Sequence, residues 1–292
     1  MAGPDLTAVG AAYGRAAHVL FDEPPLVLDD AVSIRLADEG TLRAAQLWAP
    51  EGGLLASRDE PRARWRGTFV ARARLVEDVV EEHLAAGVSQ LVILGAGLDT
   101  FAERRSDLTP RLRIFEVDEP GTQRWKQERL RALGLPLPEC LRFVPLNFES
   151  GESWVQAVTG AGFDRARPAV IVSTGVTQYI TVDAFTTTLR QAAALAPGTT
   201  VVATFILPRD MVDPGDHELR AVTEERAAAR GFPWISFYTP GDMLALTVAA
   251  GFDDVRQVST SDLNARYFAG RRDGLRSPSG EHLILATRTA GS

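Results

Sequence analysis

The sequence LVILGAGLD, from Leu91 to Asp99, decides the fold of this chain. Four apolar residues lead directly into two glycines, and a short apolar run that ends in a glycine-rich turn predicts a buried parallel strand. Glycine at such a turn lets the backbone bend sharply and come close to a ligand. Gly95 and Gly97 are therefore the first candidates for ligand binding.

A second apolar run indicates a nucleoside site beside this turn. RIFEVD, from Arg113 to Asp118, ends in an acid about twenty residues beyond the glycines, the spacing at which a carboxylate reaches a ribose. The third glycine of a dinucleotide fingerprint is missing, and Asp99 beside the turn would repel a pyrophosphate. An acid there suits a cationic or zwitterionic ligand, so the pattern favours S-adenosylmethionine (SAM) over NAD. An NAD-dependent oxidoreductase and a purely structural turn are the alternatives at this point.

Strand and helix patterns alternate along most of the chain. Apolar runs predict strands at 91–94, 114–117, 143–146, 169–172, 201–206, 254–260 and 282–289, with helices between them at 123–133, 153–159, 183–195 and 240–250. Such alternation gives a mostly parallel sheet with helices on both faces. Gly270 to Gly274 predicts a hairpin-like connection between the last two strands. We therefore predict an α/β fold of the Rossmann-like SAM methyltransferase type, with a seven-stranded, mostly parallel sheet whose last strand is antiparallel.

The first 60 residues lack strand signals. Thr7 to Leu20 can form a helix, which Pro24 and Pro25 end because proline removes a backbone donor and restricts the residue before it. We expect residues 1–60 to form a helical cap over the mouth of a SAM-dependent methyltransferase domain spanning residues 61–292. The segment 208–233 follows a predicted strand and contains a helical stretch at 217–230, so we assign it to the substrate side of the site.

A long helix is predicted over Arg66–Ala86, directly before the glycine turn. Apolar residues recur on one face at a spacing of three or four, namely Phe69, Ala73, Val76, Val80 and Leu84. Arg72 and Arg74 lie off this stripe. Arg74 is placed to pair with Asp78 one turn further on. Because the helix leads into the glycine turn, one of the two arginines is a candidate for contacting the cofactor.

Polar residues follow the third and fourth predicted strands. Parallel strands have their carboxyl ends at one edge of the sheet, where open α/β proteins bind ligands. Asn147 can hydrogen-bond an adenine amino group, Phe148 can pack on its ring, and Thr174 can line the methionine arm of the cofactor. Singly, Asn147 and Thr174 are explained by ordinary turn chemistry. As one row of strand ends, these residues favour a cofactor site.

Composition limits the other functions. The chain has 292 residues, of which 45% are hydrophobic and 24% charged, as in ordinary globular proteins. A net charge of −7 and a pI of about 5.3 argue against non-specific nucleic-acid binding. The single Cys140 and four scattered histidines show no metal-ligand spacing. The sequence has no apolar run of membrane-spanning length and no signal-peptide pattern, so we expect a cytoplasmic protein.

The chain resembles the leucine carboxyl methyltransferase-like family of SAM-dependent methyltransferases. The resemblance rests on FVARARLVEDVV, QLVILGAGLDTF, FEVDEPGTQRWKQERL, FVPLNFE and STGVTQYI, within residues 69–206. It implies that Arg72 pairs with the SAM carboxylate, that Asp118 binds the ribose, and that Asn147 and Phe148 lie beside the adenine. Members of the family methylate a protein's C-terminal carboxylate, a tRNA base side chain, or carboxyl and hydroxyl groups of polyketides and other small molecules.

Two positions depart from the family pattern. The family often has Asp where Asn147 stands and Glu where Thr174 stands, whereas Tyr179 is kept. These departures are more similar to the bacterial branch that acts on small molecules. The resemblance therefore implies an O-methyltransferase of secondary metabolism that acts on a carboxylate or hydroxyl oxygen. A SAM-binding protein without turnover is an alternative, because Thr174 removes a possible contact to the cofactor ammonium.

The chemistry of the acceptor decides whether a general base is needed. A carboxylate is anionic at pH 7, whereas a phenol with a pKa of about 10 is helped by a base. Tyr179 and His217 are the candidates for a catalytic role. A packed tyrosine and a surface histidine are the plainer interpretations of these two residues.

Overall fold

A seven-stranded sheet in the order β3-β2-β1-β4-β5-β7-β6 forms the centre of the protein. The structure, a computed structural model, describes residues 6–44, 60–148 and 151–289. The strands are β1 Gln90–Leu94, β2 Arg113–Asp118, β3 Leu141–Pro145, β4 Val170–Ser173, β5 Thr200–Ile206, β6 Asp254–Val258 and β7 Glu281–Thr287. β1 to β5 pair in parallel, and β7 runs antiparallel to both of its neighbours. The predicted α/β fold, with its antiparallel last strand, is confirmed.

Helices pack on both faces of this sheet. They are α1 Leu6–Phe21, α2 Ala31–Leu36, α3 Glu39–Ala44, α4 Glu60–Ala85, α5 Phe101–Arg104, α6 Pro120–Ala132, α7 Trp154–Gly160, α8 Val182–Ala193, α9 His217–Ala229, α10 Pro240–Ala249 and α11 Thr260–Tyr267. Successive residues of β1 point to opposite faces. Val92 and Leu94 pack with α7, α8 and α10, whereas Leu91 and Ile93 pack with α4 and α11.

The strand order reverses between β1 and β4, which are neighbours in the sheet although two strands separate them in the chain. In an open α/β sheet, ligands bind beyond the carboxyl ends of the strands at such a reversal. β1 and β4 are buried along their whole length, so the loops that follow them are held on a rigid base. The fold thus places the loop 95–100 and the loop 174–176 beside each other at this edge.

The connection between the last two strands differs from the prediction. It is a helix followed by a long loop rather than a hairpin, and α11 begins where the predicted strand 254–260 should still continue. Ser259 caps this helix, since its Oγ accepts from Asp262 N at 3.1 Å while the Asp262 carboxylate accepts from Ser259 N at 2.8 Å. This capping box is a readable start signal in the sequence that the strand prediction overlooked.

The described part of the segment 1–60 is helical and lies against the glycine turn. Apolar residues of α1 share a small core with Leu98, and Arg15 of α1 donates from Nη2 to the Leu98 carbonyl at 2.7 Å. Residues 45–59, which connect this segment to α4, lie outside the described residues, so a cap bounded at residue 60 stays a prediction. Within the described ranges, no helix is long and apolar enough to cross a membrane.

Asp30 is the main polar anchor between this segment and the sheet. It is fully buried, accepts from Arg15 Nε at 2.8 Å and from Thr100 Oγ1 at 2.7 Å, and caps α2 through Ser33 N. Burial raises the pKa of Asp30, but the guanidinium groups of Arg15 and Arg104 and the Ser33 hydroxyl outweigh burial and lower the pKa to about 2. Asp30 therefore stays ionised in the folded protein at any moderate pH.

This lowered pKa predicts an acid-sensitive contribution to stability. Because the folded pKa lies below the unfolded value of 3.8, the contribution is fully present above the unfolded pKa and is lost as the pH falls towards 2. It amounts to about 2 kcal/mol. Urea unfolding at a series of pH values between 6 and 2 should show a smaller loss on acidification in Asp30→Asn than in the wild type. The exposed Asp254→Asn is the control and should keep the wild-type slope; an unchanged slope in Asp30→Asn would contradict the assignment.

Candidate functional site

A cavity of about 830 Å³ lies at the carboxyl edge of the sheet and is lined by residues of α1, α4, α9 and the strand ends. Most of the predicted site residues line it, namely Arg72, Gly95, Gly97, Asp118, Asn147, Phe148, Thr174 and Tyr179. Ligand pockets measure about 300–1,000 Å³, so this cavity is large enough for a nucleoside cofactor together with a second small molecule.

The glycine turn takes a backbone conformation that other residues rarely adopt. Gly95 and Gly97 have φ values of +69° and +53°. A Cβ on Gly95 would lie 2.4 Å from Val176 Cγ2, and one on Gly97 would lie 2.9 Å from the Cβ of Ala8 in α1. The turn is therefore packed between the loop after β4 and the N-terminal helix, and both glycines are required for that fit.

Asp118 ends β2 next to this turn and is fixed by two backbone donors. Its Oδ2 accepts from Gly97 N at 2.6 Å and its Oδ1 accepts from Glu119 N at 2.7 Å. A carboxylate oxygen can accept more than one hydrogen bond. The same side chain can therefore hold the turn and bind the hydroxyl groups of a ribose, which fits the nucleoside part of SAM.

We expect Asp118→Ala to weaken SAM binding at least tenfold, because charge-assisted hydrogen bonds are worth about 1.5–3 kcal/mol each. Asp99→Ala should weaken it much less, since Asp99 Oδ1 accepts from Phe101 N at 2.7 Å and so stabilises its own loop. Titration calorimetry with SAM measures both affinities. Equal, small losses in the two variants would contradict the role assigned to Asp118.

Arg72 lies on α4, and its guanidinium group is close to Glu281, Phe69 and Gly175. Nη1 donates to Glu281 Oε1 at 2.9 Å, and Cζ lies 5.0 Å from the centre of the Phe69 ring. A Cβ on Gly175 would lie 2.9 Å from Nη2, so the guanidinium group is close to the loop after β4. A guanidinium group has five N–H donors. Arg72 can therefore keep Glu281 and still bind the carboxylate of SAM.

Arg74 faces away from the cavity. Its Nη2 lies 2.7 Å from Asp78 Oδ1, and its side chain is 36% exposed, compared with 14% for Arg72. The predicted Arg74–Asp78 pair is confirmed. In the predicted apolar stripe, Val76, Val80 and Leu84 are buried. Phe69 and Ala73 are only half-buried, because they pack against apolar clusters and also line the cavity.

The two catalytic candidates have different positions. Tyr179 follows β4 and lines the cavity. His217 begins α9, is exposed, has its Nε2 at 2.8 Å from the Val212 carbonyl oxygen, and is not part of the cavity wall. The structure therefore brings Tyr179, but not His217, to the candidate cofactor residues.

The cavity is also lined by residues that no sequence motif predicts individually. α9 and the segment after it supply most of the wall opposite the glycine turn, including Leu219, Val222, Thr223, Arg226, Arg230, Phe232 and Trp234. The sequence assigned this segment to the substrate side only as a whole. Glu281 was missed because it lies 209 positions from its partner Arg72.

A buried charge cluster, formed by Lys126 and Glu116, contacts the loop that contains the glycine turn. Lys126 Nζ on α6 lies 2.7 Å from both carboxylate oxygens of Glu116 on β2 and also donates to the Asp99 carbonyl. Both side chains are fully buried. Burial raises the pKa of Glu116, whereas the Lys126 ammonium group lowers it and so favours the ionised pair. The cluster connects β2, α6 and the turn in one place.

The chain is similar to known methyltransferases in sequence and in fold. The family model described as leucine carboxyl methyltransferase matches residues 8–193. YktD of Bacillus subtilis, whose name assigns it to the SAM-dependent methyltransferases, is 28% identical over 97% of both chains. A Mycobacterium tuberculosis protein with the same assignment is 31% identical, over 85% of this chain and 79% of its own.

Two solved structures have a similar fold. A protein from Thermobifida fusca that is named as a methyltransferase has a TM-score of 0.57 at 18% identity, over 99% of this chain and 96% of its own. PigF, solved with S-adenosylhomocysteine (SAH), has a TM-score of 0.51 at 15% identity, over 80% of this chain and 61% of its own.

Proposed function

The chain belongs to the leucine carboxyl methyltransferase family, and on that premise we propose that it transfers a methyl group from SAM to a carboxylate or hydroxyl oxygen of a small molecule, such as a polyketide-type metabolite. A SAM-dependent methyltransferase is neither an NAD-dependent oxidoreductase nor a SAM-binding protein without turnover, so both alternatives are removed. The observation that carries the proposal is the continuity of the cavity. The same space reaches from Asp118 and the glycine turn to α9 and the segment that follows it.

The residues at the glycine-turn end fit SAM. Arg72 would hold its amino-acid carboxylate, Asp118 its ribose, and Asn147 with Phe148 its adenine, while Thr174 lines the methionine arm. When bound, SAM supplies an electrophilic methyl group on a sulfonium centre. The protein contributes positioning of the acceptor oxygen and exclusion of water from it.

The cavity wall also bears on the choice of acceptor group. Carboxylates are anionic at neutral pH and need no base. Tyr179 is the catalytic candidate that remains on the wall, whereas His217 lies outside it. This supports a carboxylate as the acceptor, with Tyr179 available to position it or to assist a hydroxyl group. The cytoplasmic location, the role in secondary metabolism and the lack of a nucleic-acid partner stay predictions.

The experiment is incubation of the protein with SAM and a collection of small carboxylic and phenolic acids, followed by mass spectrometry. We expect SAH to form together with a product heavier by one methylene unit. Mild alkali releases methanol from a methyl ester and leaves a methyl ether intact, so it distinguishes the two acceptor groups. Asp118→Ala should lose the activity and Asp99→Ala should keep it. Methylation of a nitrogen or carbon atom instead of oxygen would overturn the proposal.

A further inference from the structure

Arg230 places a positive charge on the cavity wall, with no carboxylate of the described residues within ion-pair distance. It directly follows α9, is half-buried and lines the cavity. Three other arginines of the wall are ion-paired: Arg15 with Asp30, Arg72 with Glu281 and Arg104 with Glu77. Among residues 6–44, 60–148 and 151–289, no ion pair or side-chain hydrogen bond is formed by Arg230. A half-buried guanidinium group in a cavity is a strong attractor for an anionic ligand.

Trp234, four residues further on, provides a second and independent observation. It lines the same cavity, and its indole Nε1 is buried without a hydrogen-bond partner. Its ring is fixed by the Arg220 guanidinium group, whose Cζ lies 4.7 Å from the ring centre. The neighbouring Ile235 N donates to the Gln178 carbonyl at 2.8 Å, which ties this segment to the end of β4. A buried N–H without an acceptor is costly, so a ligand that brought an oxygen atom against this ring would recover that cost.

The residues around Arg230 and Trp234 indicate which chemical groups the ligand carries. Leu219, Val222 and Phe232 line the cavity on the same side and offer apolar contacts. Glu218 also lines the cavity, but it lies at the other end of α9, about 18 Å from Arg230 along the helix axis. The negative end of the helix dipole favours an arginine at position 230. That explanation gives Trp234 no hydrogen-bond acceptor, whereas a carboxylate supplies both the negative charge that Arg230 lacks and the acceptor oxygens that Trp234 lacks.

We propose that Arg230 and Trp234 bind a carboxylate of the methyl acceptor that is not itself methylated. This rests on the proposed function and narrows its substrate class to small molecules with an apolar body, an anchoring carboxylate and a separate reacting oxygen. The two groups are distinct for an energetic reason. A carboxylate loses its negative charge as it is methylated, so an ion pair with the reacting group would stabilise the ground state more than the transition state.

The test measures binding of matched acids and amides to the SAH-saturated protein. The probes are phenylalkanoic acids with one to four methylene groups and their primary amides, which differ in charge but hardly in shape. By titration calorimetry, at least one acid should bind about tenfold or more tightly than its amide. Arg230→Gln should remove this preference, and Trp234→Phe should weaken acid binding while leaving amide binding nearly unchanged. Arg190→Gln, exposed on α8, should behave like the wild type.

SAH affinity separates this proposal from the one on which it rests. Arg230→Gln and Trp234→Phe should both bind SAH as the wild type does, which also shows that they are folded. Equal binding of acids and amides by the wild type, or a preference for acids that survives in Arg230→Gln, would overturn the carboxylate site and leave the cofactor site intact. A wild type that does not bind SAH would overturn the proposed function itself.

Discussion

Arg72→Ala should abolish measurable SAM binding at micromolar concentrations, whereas Arg74→Ala should bind SAM like the wild type. The two arginines lie two residues apart on α4, yet only Arg72 lines the cavity. Removing one partner of a desolvated charge pair costs about 2–5 kcal/mol, largely because the other charge is left without a partner. In Arg72→Ala, Glu281 loses that partner, and so does the SAM carboxylate that we propose Arg72 binds. A solvent-exposed pair such as Arg74–Asp78 contributes about 1 kcal/mol or less.

Titration calorimetry with SAM and SAH measures the effect, after circular dichroism has shown that both variants are folded. Glu281→Gln is a useful third variant, because it removes the negative charge beside Arg72 but keeps a hydrogen-bond acceptor. We expect it to change SAM affinity much less than Arg72→Ala does. If Arg74→Ala is the damaging variant, or if Arg72→Ala binds SAM normally, the carboxylate of SAM is held elsewhere.

The residues that we propose bind the cofactor could be predicted to lie together because they belong to short, continuous motifs. Gly95 and Gly97 follow a buried strand, and Asp118 ends the next one, so local sequence fixes both position and chemistry. The sequence periodicity also placed Arg72 and Arg74 off the apolar face of α4. The apolar face itself was predicted only in part. Phe69 and Ala73 look like core residues in the sequence, since periodicity reports apolar faces and does not distinguish a core from a cavity wall.

The side of the cavity that we propose binds the acceptor was not predictable residue by residue. Arg230 and Trp234 follow a helix with no pronounced apolar stripe, and only the packing of the segment against the end of β4 brings them to the cavity. The Arg72–Glu281 pair depends on the antiparallel insertion of β7 next to β5, a long-range feature. His217 was a candidate by residue type alone, and its position at the start of α9 shows why residue type without a motif is weak evidence.

The buried ion pair of Lys126 and Glu116 gives the prediction with the largest effect on the free energy of unfolding. Lys126→Met should destabilise the fold by about 3–5 kcal/mol, because removing one partner of a buried ion pair leaves the other charge uncompensated. Glu116 would lose the ammonium group at 2.7 Å, and Glu103, whose Oε1 lies 3.9 Å from Lys126 Nζ, would lose its nearby cation as well. Methionine has a similar length, so the change removes the charge with little change in packing.

The matched control is the double variant Lys126→Met with Glu116→Gln. It should be more stable than Lys126→Met alone, because the uncompensated carboxylate is gone and coupled sites are not additive. Urea unfolding of the wild type, both single variants and the double variant gives this coupling energy. The two variants that lack Lys126 should bind SAH more weakly than the wild type, since the Lys126–Asp99 hydrogen bond holds the loop next to the proposed cofactor site. Additive losses of stability in the double variant would show that Lys126 and Glu116 act independently. Wild-type SAH affinity in Lys126→Met would show that the glycine turn does not depend on the Lys126–Asp99 hydrogen bond.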